Sequence, residues 1–168
     1  MKPVLKYGLM LGLALCVCVT ISHLLGFNTT NMQSSIYGDI LTTLVAVVIV
    51  FLAIRAERRR RGSLTVLQGV LTGVLVFLIS FPITMAFQWF YEHYINPNWL
   101  EYVVAYEQNK MTQAGESATV ISDRIARLRA RSTGMSRIVT AVIGTVVMGL
   151  ILSLIFSLIL RKRPASSV

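Results

Sequence analysis

"LTVLQGVLTGVLVFLISFPITMAFQWFY", residues 64 to 91, runs for 28 residues without one charged side chain. A helix rises about 1.5 Å per residue, so about 20 apolar residues cross the hydrocarbon of a bilayer. This run is longer than that. Immediately before it stands "RAERRRRGS", residues 55 to 63, with five arginines and the single acid Glu57; immediately after it come Glu92 and His93. An apolar bar with cations at one end and Trp and Tyr at the other reads as a membrane-spanning helix.

Three more runs repeat the pattern. Val4–Gly26 carries only Lys6, Ile36–Ile54 is 19 residues with Asp39 near its start, and Ile138–Leu160 is 23 residues with no charge. The chain has 168 residues, 55% hydrophobic and 14% charged, whereas soluble domains run at about a quarter charged. So short a chain cannot bury that much apolar surface in a water-facing globule. The fold class expected is all-α: a polytopic membrane protein, residues 1–168 forming a single domain. Its four transmembrane helices are read over 4–26, 36–54, 64–91 and 138–160, with an extracytoplasmic helical hairpin over 92–137 between helices 3 and 4. The first run has the basic start of a signal peptide, but it is too long. "LALC", residues 13–16, has Leu15 where a lipoprotein box needs a small residue, so cleavage is not expected.

The arginines answer to the membrane first. With four spans, Lys2 and Lys6, the block Arg55, Arg58, Arg59, Arg60 and Arg61, and the tail Arg161, Lys162 and Arg163 fall on one side, ten basic residues against Glu57. The other side holds the uncharged "NTTNMQSSI" and the segment 92–137, where six basic residues face five acids. Lys and Arg beside the spans mark the cytoplasmic face, so both termini are expected inside. A pI near 10.2 would suggest nucleic acid for a soluble protein. Here the cations sit at membrane ends, where anionic lipid attracts each by about 1 kcal/mol. Anionic lipids are the expected partners and nucleic acid is not.

Gly8 and Gly12, Gly69 and Gly73, and Ala141, Thr145 and Gly149 place small residues four apart, which flattens a helix face for close packing in lipid, within the chain or against another copy. Pro82 in "SFPIT" is a candidate kink, with Ser80 and Thr84 near the freed carbonyl. Trp89 to Tyr94 mark a membrane boundary. After "INP" a helix is expected to restart with Asn96 as N-cap and Pro97 at its first position. Trp99, Tyr102 and Tyr106 form its stripe. Beyond the break "QAGES", residues 113 to 117, Arg124, Arg127 and Arg131 line one face of an amphipathic helix. These six residues are the candidate partner surface.

"KYGLMLGL", "VVIVFLAIRAERRRRGSLTVLQGVLTGVLV" and "YEHYINPNWLEYVVAYEQNKM" together resemble the DUF4199 family of small bacterial membrane proteins. The matching positions are Arg55, Gly62, Leu64, Gln68, Gly69 and Ile95–Pro97. The resemblance implies four spans, a bacterial origin and a place in the cytoplasmic (inner) membrane. It carries no catalytic residue over, since the family's function is unknown.

Ionisable residues at membrane depth are the usual mark of transport or chemistry. Here the spans hold neutral hydroxyls such as Thr72, Ser80, Thr145, Ser153 and Ser157, able to bond their own helix carbonyls. Gln68 reads as interfacial, and Ser63 as the cap of the third span. His23, Asp39, Glu92 and His93 are zinc-ligand types near one boundary, but their spacing is no metal signature. Cys16 and Cys18, two apart, point to different sides of helix 1. No catalytic, cofactor or metal site is expected. The leading expectation is a non-enzymatic scaffold or accessory subunit, possible as a homo-oligomer or beside another membrane protein. The alternative is a small transporter or channel for a neutral or lipid-like solute, in which the hydroxyl-bearing faces would converge on one cavity.

Overall fold

The long uncharged runs fold as helices because in hydrocarbon every backbone amide must be satisfied within its own segment. The computed structural model describes residues 3–132 and 134–160, all-helical and without strands among them. Six α-helices follow in order: α1 Pro3–Leu24, α2 Ser35–Arg61, α3 Val66–Phe90, α4 Trp99–Gln113, α5 Ala118–Arg131 and α6 Gly134–Leu160. Short single turns, Met32–Ser34 and Tyr91–Ile95, precede α2 and follow α3. Pro3–Leu24, Met32–Arg61, Val66–Ile95 and Gly134–Leu160 are each long and apolar enough to cross a membrane.

Contacts divide the chain into two compact units. The first takes α1 up to Leu15, Thr43–Thr84 and α6 from Gly144; the second takes Cys16–Thr42 and Met85–Ile143. The division falls inside α1, α2, α3 and α6, so each long helix contributes to both. In the first unit Leu11, Val50, Ala53, Ile54 and Val76 are fully buried and Phe77 nearly so. Side chains such as Leu67, at 68% exposed, and Ile159, at 66%, point outward, while Ser153 and Ser157 are buried. Serines inside and leucines outside is the reverse of a water-soluble helix bundle.

Glycines set the close approaches in that unit. A Cβ on Gly8 would lie 2.6 Å from Ile79 Cβ, and one on Gly12 3.0 Å from Ile83 Cβ, so α1 rests directly on α3. Gly69 and Gly73 of α3 face Ser157 and Ser153 of α6, where an added Cβ would fall 2.8 and 2.7 Å from the serine Cβ atoms. Gly149 faces the Phe77 ring, while Ala141 and Thr145 are half-buried on the same helix. Pro82 lies within α3, which runs from Val66 to Phe90 without interruption.

Three boundaries differ from the sequence reading, each for a local reason. The second helix does not stop with the apolar run at Ile54: α2 continues through the arginines to Arg61, followed by Gly62, whose φ of +76° suits a left-handed C-terminal residue. Arginine is a good helix former, and four of the five occupy the last turn, where cations complement the helix dipole. The third helix is capped by Thr65 and not by Ser63. Thr65 Oγ1 accepts from the Gln68 amide (3.3 Å) and Gln68 Oε1 accepts from the Thr65 amide (3.2 Å), a reciprocal capping box. Asn96 does not cap α4. That helix starts at Trp99, with the Asn98 carbonyl accepting from the amides of Glu101 and Tyr102, and Asn96 is buried elsewhere.

Candidate functional site

The second unit concentrates the chain's polar side chains around the end of α3. Past Phe90 the helix widens by one residue per turn, so that the Asn96 amide donates to the Tyr91 carbonyl at 2.7 Å, five residues back. Tyr91 is 1% exposed. Its phenol oxygen accepts from Asn96 Nδ2 (3.1 Å) and is joined to His23 Nδ1 (3.0 Å), and Asn96 Nδ2 also reaches the Asn28 carbonyl (2.9 Å). The His23 and Tyr91 rings meet edge to face, 5.5 Å between centroids. This cluster ties the end of α1, the turn after it and the wide turn after α3. Nearby, Gly38 of α2 lets Ser22 of α1 approach.

One helical face away lies an open cleft of about 410 Å³. Met85, Gln88, Trp89, Glu92 and His93 of the third span line one wall, at the three- and four-residue spacing of a single helix face. Pro97, Trp99 and Leu100 line another, and Ser132, Gly134, Arg137 and Ile138 at the head of α6 complete it. Glu92 and Arg137 form a bidentate ion pair, 14% and 28% exposed, and Gln88 Nε2 donates to Glu92 Oε1 at 2.6 Å. Arg137 lies over the Trp99 ring, 5.9 Å from its centroid, and Trp89 stacks on His93 at 4.5 Å. His93 Nδ1 also pairs with the Trp89 carbonyl at 2.8 Å. Among the described residues no three of His, Cys, Asp and Glu come together as metal ligands would.

α4 packs on α5 and on the turn Met32–Ser34. Arg129 of α5 donates two hydrogen bonds to the Glu101 carboxylate, 2.6 and 2.8 Å, which holds that carboxyl below its ordinary range and the guanidinium above its own. Trp99 is half-buried in the cleft described above, whereas Tyr102 and Tyr106 line a separate depression with Thr29–Gln33. Arg124 and Arg127 lie in a groove with Glu107 and Lys110, and Arg131 is exposed at the end of α5. The six residues thus line three depressions and the end of α5.

At the other end of α3, Glu57 is 2% exposed and accepts from Arg60 (3.0 and 2.5 Å) and Arg61 (2.5 Å). Two of the five arginines thus fold back on one carboxylate, with Arg55 and Arg59 exposed and Arg58 half-buried. Arg161, Lys162 and Arg163 lie outside the described residues. Sequence reasoning missed the reciprocal cap, although "TVLQ" carries its signature, and it missed the pairing of Glu92 with Arg137, 45 residues apart.

The fold defines the class: an all-helical protein with four helices long and apolar enough to cross a membrane. The chain belongs to the DUF4199 family, described as protein of unknown function, whose model matches residues 6–162. Neither the comparison with curated proteins nor that with solved structures returned a match.

Proposed function

We propose that this is a non-enzymatic integral membrane protein, a scaffold or accessory subunit of the bacterial cytoplasmic membrane that works through lipid and protein contacts. Both termini lie inside, the arginine-rich end of α2 rests on anionic headgroups, and α4 with α5 makes an extracytoplasmic hairpin that meets a partner protein or a second copy. The charge asymmetry of the segments beside the spans supports the orientation.

The observation that carries the reading is how the buried hydroxyls are used. Ser153 bonds the Gly149 carbonyl, Ser157 the Ser153 carbonyl (2.5 Å) and Thr72 the Gln68 carbonyl (2.7 Å). Ser153 and Ser157 also fill the space over Gly73 and Gly69. A solute pathway needs such groups to face an open cavity; here they are engaged in packing helix on helix. The test is photo-crosslinking in the native membrane from Tyr106 and Arg127, with adducts identified by mass spectrometry. A single dominant partner or a self-adduct is expected. Lipid adducts alone would refute the contact role of the hairpin and turn attention to solute flux in proteoliposomes.

A further inference from the structure

We propose that the cleft between the end of α3 and the head of α6 is a binding site for the headgroup of a phospholipid that carries both a phosphate and a primary ammonium, a phosphatidylethanolamine. The inference rests on the membrane reading above and adds a ligand to it. Position comes first. The cleft walls are the last turns of one candidate span, Val66–Ile95, and the first turn of another, Gly134–Leu160, where hydrocarbon gives way to headgroups. Its volume, about 410 Å³, falls within the range of small-molecule sites. Met85 and Ile138 supply an apolar margin to it, and the indoles of Trp89 and Trp99 are the side chains that favour headgroup depth.

Charge decides the class of headgroup. The polar floor is an ion pair of net zero charge, Glu92 with Arg137, only partly covered. A guanidinium has five N–H donors, and its bidentate bond to Glu92 uses one from each terminal nitrogen. A carboxylate offers about four acceptor sites, of which Arg137 and Gln88 take three. Donors beside an acceptor, held by a neutral pair, complement a zwitterion: phosphate on the guanidinium, ammonium on the carboxylate. A headgroup with phosphate alone would meet Arg137 but bring its negative charge beside Glu92 and leave that carboxylate's remaining acceptor site without a donor. A quaternary ammonium has no N–H to give Glu92, and it is recognised by open aromatic faces. Here one face of Trp99 carries Arg137 and one face of Trp89 carries His93. The primary ammonium is the better match.

The chain contains two tryptophans, and both line this cleft, so intrinsic fluorescence reads the site without a label. The full-length protein is reconstituted into vesicles mixing choline lipid with a minor fraction of a second lipid bearing brominated chains. The second headgroup is ethanolamine, its N-methyl and N,N-dimethyl derivatives, choline, or glycerol. Quenching by the ethanolamine lipid is expected to exceed random mixing by roughly tenfold in relative affinity, as for one charge-assisted hydrogen bond, and to fall stepwise with each methyl added. Glu92→Gln should flatten the series. The methyl series itself needs no variant and stands if Glu92→Gln does not fold. Equal quenching by all headgroups, or preference for choline or glycerol, overturns the proposal. So does a shift of the emission by soluble glycerophosphoethanolamine at the same concentration, which would point to a water-soluble ligand. Flotation of the same samples separates the two readings. Protein that fails to float with vesicles refutes the membrane assignment, whereas protein that floats without headgroup preference refutes this site alone.

Discussion

Replacing Gly73 by Ala tests the packing argument with a single carbon. The added Cβ would fall 2.7 Å from Ser153 Cβ and closer still to its Oγ, with Val50 Cγ1 at 3.3 Å. The serine hydroxyl can rotate away by giving up its bond to the Gly149 carbonyl, but its Cβ is fixed to the backbone of α6. The two helices must separate, and overpacking of this kind costs about 1–3 kcal/mol. A Gly→Ala change inside a helix also gains about 1 kcal/mol from backbone entropy, which hides part of the effect. Gly144→Ala supplies the control: it lies within α6 and a Cβ there meets nothing within 4 Å. The propensity gain is common to both, so the difference between the two variants, about 1–3 kcal/mol, isolates the contact. Unfolding in mixed micelles of rising SDS content, followed by alkylation of the buried thiol of Cys18, gives the free energies. Ser153→Gly removes the opposing Cβ, so the double variant should recover about 1 kcal/mol or more as a coupling term. If Gly73→Ala is as stable as Gly144→Ala, or if Ser153→Gly gives no coupling, the α3–α6 contact is not as close as described.

Three further outcomes are expected. Tyr91→Phe removes the hydroxyl shared by His23 and Asn96 and should cost about 1–3 kcal/mol in the same unfolding measurement, with the helix content by circular dichroism unchanged. Thr65→Ala should cost about 1 kcal/mol through the lost cap of α3, whereas Ser63→Ala should be neutral; equal effects would move the cap. Glu101 has its carboxyl pKa lowered in the fold by hydrogen bonds from Arg129. A lowered folded-state value stabilises above the unfolded carboxylate range and is lost as pH falls through the folded value. The stability advantage of wild type over Glu101→Gln should therefore be present at neutral pH, shrink below the ordinary carboxylate range and weaken with added salt. An advantage that grew with acid would refute the pairing.

Charge-free length made the four long helices legible, because a segment in hydrocarbon that satisfies its backbone within itself must be a helix. Their ends were less so. The expected span ends at Ile54, before the arginines, but polarity ends only the apolar stretch, and the helix runs on to Arg61. Asn96 followed by Pro97 has the local form of a helix start. It lost to a tertiary demand, since a buried phenol and the Asn28 carbonyl both need a donor and Asn96 supplies it. The cleft was the least legible feature. Trp89, Glu92, Trp99 and Arg137 are each ordinary boundary residues, and only the meeting of α3 with α6 sets the acid and the arginine side by side.

Where specificity resides in such a chain follows from the same physics. Leucines facing lipid distinguish little between one helix register and another, because lipid tails are as apolar as the next helix. Register must then come from shape and from polar ends. Shape is supplied by glycines opposite serines, in which one extra methyl would collide. The polar fixings sit at the two ends of α3. At its start are the Thr65–Gln68 box and the nearby Glu57 cluster; beyond its end are the Tyr91–Asn96–His23 cluster and the Glu92–Arg137 pair. None of the first three lines the open cleft, and their loss should read out as stability. Glu92 and Arg137 are different, since they keep hydrogen-bonding capacity towards an open cleft. A site that has to recognise something must hold polar capacity in reserve, and for that reason function should be sought at this pair before any of the others.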